Sequence, residues 1–330
     1  MSKKIRIGLY GSNGHQIQRL LADHPYAELT AAACIDTEKL PKKNGVRIYE
    51  SIQELILDND VDLISLCSPI RKKQAEEAIL CLKSGKHVYS EKPSAMNEEE
   101  LDKIIQTSKK TGRVFREMAW TSFGQPYLTV REIVQSGEIG EVVQVFAQKS
   151  YPYHERRPQH EDIDGGLIMQ NAIHAFRFVE HTAGVRISDV EAMETTKGNP
   201  VPKGDLKMAA SIIMWLENGG VASIIANYLN TNTFGRWGNE HLRIFGTKGF
   251  IETVDGGMQP RLFLNNHEVR YIHVPQNNTD FEKNYFDMYI NMLMGKGSMP
   301  LTLEEEIHPL RMAIRAKQKA ANIRGLSSVQ

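Results

Sequence analysis

The chain has 330 residues, of which 41% are hydrophobic and 24% are charged. These values are typical of a globular protein long enough for two domains. It has 40 Lys and Arg residues and 40 Asp and Glu residues, so no large basic field is expected to attract nucleic acid or an anionic membrane. The longest apolar runs, such as residues 63–67, are far shorter than a membrane span. Because a strand is predicted from Ile5, we expect no secretion signal.

The cysteines are Cys34, Cys67 and Cys81. An odd number of cysteines without a CxxC spacing fits neither a disulfide framework nor a zinc site. The first two fall within predicted core strands. We therefore expect reduced, buried thiols and a cytoplasmic protein.

The first residues of the chain follow the pattern of a dinucleotide-binding unit. A strand over 5–10 leads into Gly11-Ser12-Asn13-Gly14, a helical pattern covers 15–23, and a buried strand over 29–35 ends in Asp36. Small residues let the backbone approach a pyrophosphate, and a helix N-terminus offers it free N–H groups. This segment therefore predicts a dinucleotide site.

The residues of this unit also indicate which dinucleotide is bound. Asp36 would accept hydrogen bonds from both hydroxyls of the adenosine ribose and would repel a 2′-phosphate. No arginine occupies positions 37 or 38, so we predict NAD rather than NADP, although Lys39 leaves NADP open. The usual G-x-G-x-x-G pattern would have glycine in place of Asn13 and Gln16, and asparagine is the residue that best replaces glycine at positive φ.

Strands and helices continue to alternate up to residue 118, which predicts a parallel sheet with right-handed crossovers. The predicted elements are helices over 51–57 and 72–84, strands over 61–67, 87–90 and 114–118, and a helix capped by Asn97 and Glu100 and ended by Gly112.

The tripeptide Glu91-Lys92-Pro93 directly follows the strand over 87–90. The carboxyl ends of parallel strands border the crevice in which such sheets bind ligands. Partial desolvation there would lower the pKa of Lys92 toward the range in which it exchanges protons near neutral pH. The alternative is an ordinary surface lysine at the end of a strand.

The second part of the chain follows a different pattern, that of an α+β domain. Helices are predicted over 127–135, from Gly165-Gly166 to about Thr182, and over 281–294 and 303–321. Strands are predicted over 142–149, 209–215, 221–228, 242–245, 250–254, 261–265 and 269–274, with hairpin turns at 218–220 and 265–266. The predicted fold is therefore a doubly wound α/β Rossmann domain over 1–120, followed over 121–330 by an α+β domain with a large, mostly antiparallel open sheet.

Several short stretches, taken in order, carry a family resemblance. They are Asp60-Val61-Asp62 leading to Ser68-Pro69, Gly85-Lys86-His87-Val88 running into Glu91-Lys92-Pro93, Gly137-Glu138-Ile139-Gly140-Glu141-Val142, Gly165-Gly166 followed by His174, and Phe245-Gly246-Thr247-Lys248-Gly249. With these stretches the chain resembles the Gfo/Idh/MocA oxidoreductase family, the relatives of glucose–fructose oxidoreductase and inositol dehydrogenase. The resemblance implies a bound nicotinamide cofactor, substrates that are sugars, polyols or their derivatives, and dimers or tetramers built through the C-terminal sheet.

The predicted cofactor-binding residues lie in the glycine turn and at the strand ends around it. They are Gly8, Gly11, Ser12, Asn13, Gly14, His15, Asp36, Cys67, Ser68, Pro69, Glu91 and Lys92.

The predicted catalytic residues are Lys92, His174 and Gln170. A substrate hydroxyl would lie between His174 and Lys92, with its carbon facing C4 of the nicotinamide. His174 would remove the hydroxyl proton as hydride leaves, and Lys92 would hydrogen-bond the same oxygen. Taken alone, His174 would more often be a hydrogen-bonded core histidine.

The chain departs from the family pattern close to His174. Gln170 occupies the position of the usual aspartate, and Arg177 occupies that of a second frequent aspartate. Gln170 lies one helical turn before His174, so it can orient substrate or imidazole, but it carries no charge. We therefore expect a less basic His174, or a reaction in which Lys92 performs more of the proton transfer.

The segment over 151–164 is a candidate for substrate contact, because tyrosine faces suit sugar rings and arginines suit a carboxylate or phosphate. The alternative is a solvated loop. The predicted substrate-binding residues are Tyr153, His154, Arg156, Arg157, Asn171 and Arg177. Trp237 could line the pocket or a subunit contact, and no ligand spacing indicates a metal.

The sequence thus predicts a cytoplasmic, NAD-dependent oxidoreductase that transfers hydride between nicotinamide and a hydroxyl carbon of a sugar or polyol. We expect a homodimer or homotetramer. Two alternatives stay open: an enzyme that uses tightly bound NAD cyclically, and an NAD-binding regulator of the same fold without net catalysis.

Overall fold

The computed structural model describes residues 4–40, 45–265, 267–276 and 280–327. The chain divides into two compact units. The first unit takes the chain up to Ala119 together with Asp162–Gly165 and Glu282–Ile307, and the second takes the remainder. The domain limits 1–120 and 121–330 stay a prediction.

The first unit contains a parallel sheet. Its strands are β1 (Ile5–Tyr10), β2 (Ala27–Ala33), β3 (Arg47–Tyr49), β4 (Leu63–Leu66), β5 (His87–Ser90) and β6 (Phe115–Glu117). Among the described residues they pair in the order β3-β2-β1-β4-β5-β6, all parallel. This is the strand order of the Rossmann fold, and it confirms the predicted α/β sheet.

The second unit contains a larger sheet. Its strands are β7 (Val142–Pro152), β8 (Ile187–Thr195), β9 (Ala209–Leu216), β10 (Val221–Asn230), β11 (Asn239–Gly246), β12 (Gly249–Thr253), β13 (Arg261–Leu264) and β14 (Arg270–Tyr271). In the described part of the chain their order is β14-β13-β12-β11-β7-β10-β9-β8. Only the β7–β10 pair is parallel among these strands, so the predicted mostly antiparallel sheet is confirmed.

The helices, in chain order, are α1 (Ile52–Leu57), α2 (Gln74–Lys83), α3 (Glu98–Thr111), α4 (Tyr127–Gln135), α5 (Glu161–Asp164), α6 (Ile173–Arg177), α7 (Phe281–Leu293) and α8 (Leu303–Ser327). None of the described helices combines the length and the apolar character that crossing a membrane requires.

Helix α3 begins and ends at the predicted signals. The Asn97 side chain accepts a hydrogen bond from the Glu100 N–H at 2.9 Å, and Glu100 accepts one from the Met96 N–H at 3.0 Å. Gly112 ends the helix in the left-handed conformation, with φ of 67°. Local capping chemistry therefore sets both ends of this helix.

The helix that opens at Gly166 is irregular. π-helical turns at Leu167–Ala172 and Phe178–Thr182 flank α6, and nearly all of their side chains are buried. π-helical turns inside helices are rare and occur frequently at functional sites. His174 lies between the two turns, on α6.

Three predictions about the chain need correction. The helix expected over 15–23 is wrong, since only a 3-10 turn at Gln18–Leu21 forms ahead of Pro25, which disfavours helix in the residue before it. Cys34 is exposed just after β2, whereas Cys67 and Cys81 are buried as expected, and all three are free thiols. Strands β3 and β8 were not predicted. The hairpin predicted at 265–266 lies partly outside the described residues.

Candidate cofactor and catalytic sites

The turn after β1 fits a dinucleotide. Gly11 adopts φ of +68°, and a Cβ there would lie 2.2 Å from the Cys67 carbonyl oxygen, so only glycine lets the two strand ends approach this closely. The Asn13 N–H donates to that same carbonyl at 3.3 Å. Ser12 and His15 are exposed at the carboxyl end of β1, where a pyrophosphate would bind.

A buried carboxylate lies beneath this turn. Glu91 is 1% exposed, and its Oε2 accepts the His15 N–H at 2.5 Å and lies 2.9 Å from Nδ1 of the His15 ring. A Cβ on Gly14 would lie 2.5 Å from the same oxygen, so glycine leaves room for the carboxylate. The Glu91 carboxylate therefore orders the turn through its hydrogen bonds to His15, in the segment where the predicted helix does not form.

The charge of Glu91 is balanced locally. Burial alone would raise the pKa of its carboxyl group. The His15 ring, and after it Lys92 and Arg71, outweigh burial and hold that pKa well below its usual range. The buried Arg71 guanidinium also donates to the Asn13 carbonyl at 2.5 Å. The backbone of the turn is therefore hydrogen-bonded by a buried cation at Asn13 and by a buried anion, Glu91, at His15.

The strand-end residues Ser68 and Pro69 join the same network. Gln74 accepts the Ser68 N–H at 3.1 Å and donates to the carbonyls of Glu91 and Pro93. The Pro69 carbonyl accepts from the Asn13 side chain at 3.3 Å. The turn after β4 is thus tied to both the glycine turn and the tripeptide at the end of β5.

Lys92 is buried, with 2% of its surface exposed, and its N–H donates to Oε1 of Glu91 at 2.9 Å. The peptide bond to Pro93 is cis. Ser94 donates from both its N–H and its hydroxyl to Glu117, at 3.0 and 2.8 Å. Lys92 therefore lies in a buried, hydrogen-bonded segment after β5 rather than on an open surface.

Two predicted cofactor residues have structural roles of their own. Asp36 is exposed after β2 and accepts the Glu38 N–H at 3.1 Å. Gly8 lies in β1, where a Cβ would lie 3.0 Å from Ile64 and 3.1 Å from Leu55. Packing against α1 accounts for Gly8, and its part in cofactor binding stays a prediction. The Lys39 side chain lies outside the described part of the structure.

The second unit holds His174 in a buried site. Its side chain is 6% exposed, and Nδ1 lies 2.6 Å from the Thr121 hydroxyl. The Tyr151 ring meets the imidazole edge to face, with ring centroids 6.4 Å apart. A hydrogen bond at Nδ1 fixes the orientation of the ring and decides which nitrogen carries out other chemistry.

The Gln170 side chain is hydrogen-bonded by a tyrosine. The Tyr228 hydroxyl donates to Oε1 of Gln170 at 3.3 Å. The buried Arg157 guanidinium lies 3.9 Å from the centre of the Tyr228 ring, a cation–π distance. Tyr228 therefore links two of the predicted site residues.

An ion pair lies beside Tyr151. The Lys149 ammonium is paired with Glu240 and lies 4.9 Å from the centre of the Tyr151 ring. Burial lowers the pKa of Lys149, but Tyr151 and Glu240 raise it above its usual value. Burial raises the pKa of the Tyr151 phenol against the opposing Lys149 charge, so this phenol is neutral near pH 7.

The structure does not group all predicted substrate residues. Arg156 is exposed, whereas Arg157 is buried against Tyr228, so the two arginines do not form one anion site. Tyr153 lines a shallow cavity together with Tyr228. Asn171 is fully buried and donates to the Asn227 carbonyl at 3.1 Å.

Two further predicted substrate residues differ in their surroundings: His154 packs against the Trp237 ring, with centroids 5.8 Å apart, and Arg177 is fully buried. The Arg177 carbonyl accepts from the Ser122 hydroxyl at 3.1 Å. Among the described residues, no cluster of three or more His, Cys, Asp or Glu side chains is placed to hold a metal ion.

Sequence reasoning missed Thr121, Lys149 and Tyr151 as parts of the site. Thr121 precedes His174 by 53 residues, and its one sequence signal was a loose match of residues 120–122 to a polar cluster that the Gfo/Idh/MocA family carries near the last strand of its first domain. Lys149 lies at the end of a predicted strand, and Tyr151 opens the segment that was considered for substrate contact. The run of aromatic residues was the available signal for Tyr151, but it pointed equally to Tyr153.

Comparison with known proteins places these sites in a family. Residues 5–118 match the family described as oxidoreductases with an NAD-binding Rossmann fold, and residues 127–252 match the GFO/IDH/MocA C-terminal domain. The oxidoreductase prediction is therefore confirmed, with an NAD(P)-binding Rossmann domain.

Individual relatives are distant in sequence. The chain is 26% identical to myo-inositol 2-dehydrogenase of Thermotoga maritima over 64% of this chain and 63% of that protein. It is 26% identical to trans-1,2-dihydrobenzene-1,2-diol dehydrogenase of Xenopus tropicalis over 75% and 73%. The aldose-aldose oxidoreductase of Caulobacter crescentus has the same fold, with a TM-score of 0.81, 19% identity and coverage of 98% and 99%. With both of its domains matched, the chain belongs to the Gfo/Idh/MocA family of oxidoreductases.

Proposed function

We propose that the protein transfers hydride between NAD and a hydroxyl carbon of a sugar, a polyol or a related compound. The observation that carries this proposal is the buried His174, oriented through Nδ1 by Thr121, in a chain that belongs to a family of NAD-binding oxidoreductases. The names of similar proteins, an inositol dehydrogenase and an aldose-aldose oxidoreductase, support the substrate class. When bound, the nicotinamide accepts or donates the hydride.

Proton transfer, charge stabilisation and substrate orientation would fall to different residues. Because Thr121 engages Nδ1, proton transfer with the substrate hydroxyl is assigned to Nε2 of His174. The Lys92 ammonium would stabilise charge on the substrate oxygen. That Lys92 and His174 act on one hydroxyl stays a prediction. Gln170 would orient substrate through its amide without adding charge.

The experiment is a screen for NAD reduction with sugars, inositols and uronates, followed by Lys92→Met and His174→Asn with the best substrate. We expect each variant to lower kcat about 100-fold or more, the contribution of a positioned acid or base. Lys73→Met and His181→Asn are matched controls, one exposed lysine and one buried histidine that the proposal does not use.

Three outcomes would contradict this function. Near-normal kcat in His174→Asn removes the assigned base. Cofactor that survives purification and supports turnover without added NAD indicates the cyclic alternative. NAD binding without reduction across the whole panel, together with no effect of Lys92→Met in cells, indicates a regulator.

The choice of NAD over NADP rests on Asp36. Its exposed carboxylate at the end of β2 would accept the ribose hydroxyls, and hydrogen bonds to charged groups are worth about 1.5–3 kcal/mol. We expect Asp36→Asn to raise KM for NAD about tenfold and to lower KM for NADP, with Glu38→Gln as the exposed control. An unchanged KM ratio would show that Asp36 does not select the cofactor.

A further inference from the structure

A row of aromatic rings connects His174 with the surface of the second unit. The His174 and Tyr151 centroids lie 6.4 Å apart, those of Tyr151 and Trp237 lie 5.9 Å apart, and those of Trp237 and His154 lie 5.8 Å apart. Exposure rises along the row, from 6% at His174 to 55% at Trp237. The row therefore runs from the candidate base to a largely exposed indole, Trp237, with the half-buried His154 ring beside it.

Hydrogen bonds to its backbone fix the loop that carries Trp237. The loop joins β10 to β11, and the Asn230 side chain donates to the carbonyls of Arg236 and Trp237 at 3.1 and 3.0 Å. Gly235 turns the chain with φ of 77°. The exposed indole, with the Tyr151 and His154 rings beside it, offers a flat apolar face that a ligand can cover.

Polar groups lie beside the same row. Lys149 and Glu240 form an ion pair next to Tyr151, and the ammonium donates hydrogen bonds while the carboxylate accepts them. Flat apolar surface beside a few fixed polar groups is the usual composition of a small-molecule pocket. A cyclic sugar or cyclitol has C–H bonds on its faces, which suit the flat apolar surface, and hydroxyls at its edge, which suit the fixed polar groups. An open-chain polyol has no flat face.

We propose that Trp237 is the stacking platform for the ring of a cyclic substrate, a pyranose or a cyclitol, and that it selects such rings against open-chain polyols. This inference rests on the proposed function and names the shape of its substrate. Trp237 binds and orients the ring, while proton transfer belongs to His174. The competing role for the same side chain is a contact between subunits.

The test uses the whole protein saturated with NADH. Ligand binding is measured by saturation-transfer difference NMR. The probes are myo-inositol and D-glucose as rings, and D-glucitol as an open chain. We expect Trp237→Leu to weaken ring binding about tenfold, consistent with the loss of an aromatic contact, and to leave D-glucitol binding unchanged. Trp237→Phe keeps a flat face and should bind rings within about threefold of the wild type.

Tyr271→Leu is the matched control, because Tyr271 is an aromatic residue 62% exposed on β14 and does not belong to the row. The proposal is overturned if Trp237→Leu binds rings like the wild type, if it weakens rings and D-glucitol equally, or if the wild type binds no ring. A lowered oligomer mass in Trp237→Leu with unchanged ring binding would assign the side chain to a subunit contact and would also overturn it.

The same data separate this inference from the proposed function. Ring binding that depends on Trp237, without hydride transfer to any substrate, supports the platform and contradicts the function. Turnover of a cyclic substrate whose KM does not change in Trp237→Leu contradicts the platform and leaves the function standing. A rise in KM with kcat retained within about threefold is the result expected if both hold.

Discussion

At the scale of single residues, the candidate site of the second unit depends on which nitrogen of His174 transfers a proton. The Thr121 hydroxyl lies 2.6 Å from Nδ1, and the Tyr151 ring lies against the imidazole. A hydroxyl can donate to Nδ1 or accept from it, so this contact fixes the orientation of the imidazole and leaves Nε2 for the substrate. Thr121 is therefore a positioning residue.

We predict that Thr121→Val lowers kcat about tenfold or more and leaves KM for NAD unchanged. Valine keeps the shape of threonine but cannot hydrogen-bond Nδ1, so the imidazole loses its fixed orientation. Thr121→Ser restores a hydroxyl and should recover most of the activity. Steady-state kinetics over pH 6–10 provide the measurement, since a change in the pH profile of kcat separates a misoriented imidazole from a general loss of folding.

Thr129→Val is the matched control, because Thr129 is a buried threonine whose hydroxyl donates to Gln125 at 2.9 Å. If Thr121→Val keeps the wild-type kcat and pH profile, the hydrogen bond to His174 has no catalytic role. If Thr121→Ser fails like the valine variant, the effect lies in packing instead.

Motif spacing identified His174 and Lys92 as candidates because each lies in a short, ordered set of residues that the chain preserves. Thr121 and Tyr151 could not be identified in the same way. Their contacts with His174 arise from the packing of distant segments, and a hydroxyl or a phenol in isolation carries no signal of its partner. Pairing between distant residues is the information that a single sequence lacks.

At the scale of elements, the turn after β1 is ordered by side chains rather than by a regular helix. Gln16 occupies the last glycine position of the usual pattern, and its amide donates to the Gly11 carbonyl at 2.9 Å. Its oxygen accepts the Ser65 hydroxyl at 2.6 Å and the Ile17 N–H at 3.0 Å. Apolar spacing over 15–23 favoured a helix, but these bonds engage the backbone groups that a first helical turn would use.

We predict that Glu91→Gln removes a pH-dependent part of the stability of the first unit. The pKa of Glu91 is lower in the folded chain than its unfolded value of about 4.3. A carboxyl of this kind contributes stability that is fully present above its unfolded pKa and is lost as the pH falls toward its folded pKa. The wild type should therefore lose about 1.4 kcal/mol per pH unit from this group below about pH 4.

Urea unfolding at pH 7, 5, 4 and 3 measures this effect. At pH 7 we expect Glu91→Gln to be about 3 kcal/mol less stable, since it breaks a buried charge network. The difference from the wild type should then shrink as the pH falls below about 4. Glu76→Gln changes an exposed carboxyl on α2 and is the matched control. A constant difference across the pH range would rule out an ionised Glu91.

At the scale of the whole molecule, the outer face of the eight-stranded sheet has the composition of an interface. Strand register places Trp215 beside Val221, and Phe245 beside Phe250, which pairs with Phe263. Trp215 and Val221 are 47% and 44% exposed, and the rings of Phe250 and Phe263 stack with centroids 4.4 Å apart. Aromatic rows on an open sheet face indicate surface that a partner covers.

The sequence predicted this sheet from its alternating strands but not all of its extent. Strand β9 alternates regularly between buried and exposed residues, which is the pattern of a sheet with one buried face. Strand β8 mixes polar and acidic residues with apolar ones and shows no regular alternation. Its own sequence therefore gives no strand signal, and its pairing with β9 stabilises it as a strand. Assembly through this sheet as a homodimer or homotetramer stays a prediction.

We predict that Trp215→Glu converts the assembly to monomers. A standard interface buries about 1,600 Å², and an unpaired carboxylate placed within it would oppose association by several kcal/mol. Light scattering after gel filtration should give two or four chain masses for the wild type and one for the variant. Leu57→Glu is the control, because Leu57 is 77% exposed in the first unit and should leave the mass unchanged. A monomeric wild type, or a variant that keeps the wild-type mass, would show that this face is not the subunit contact.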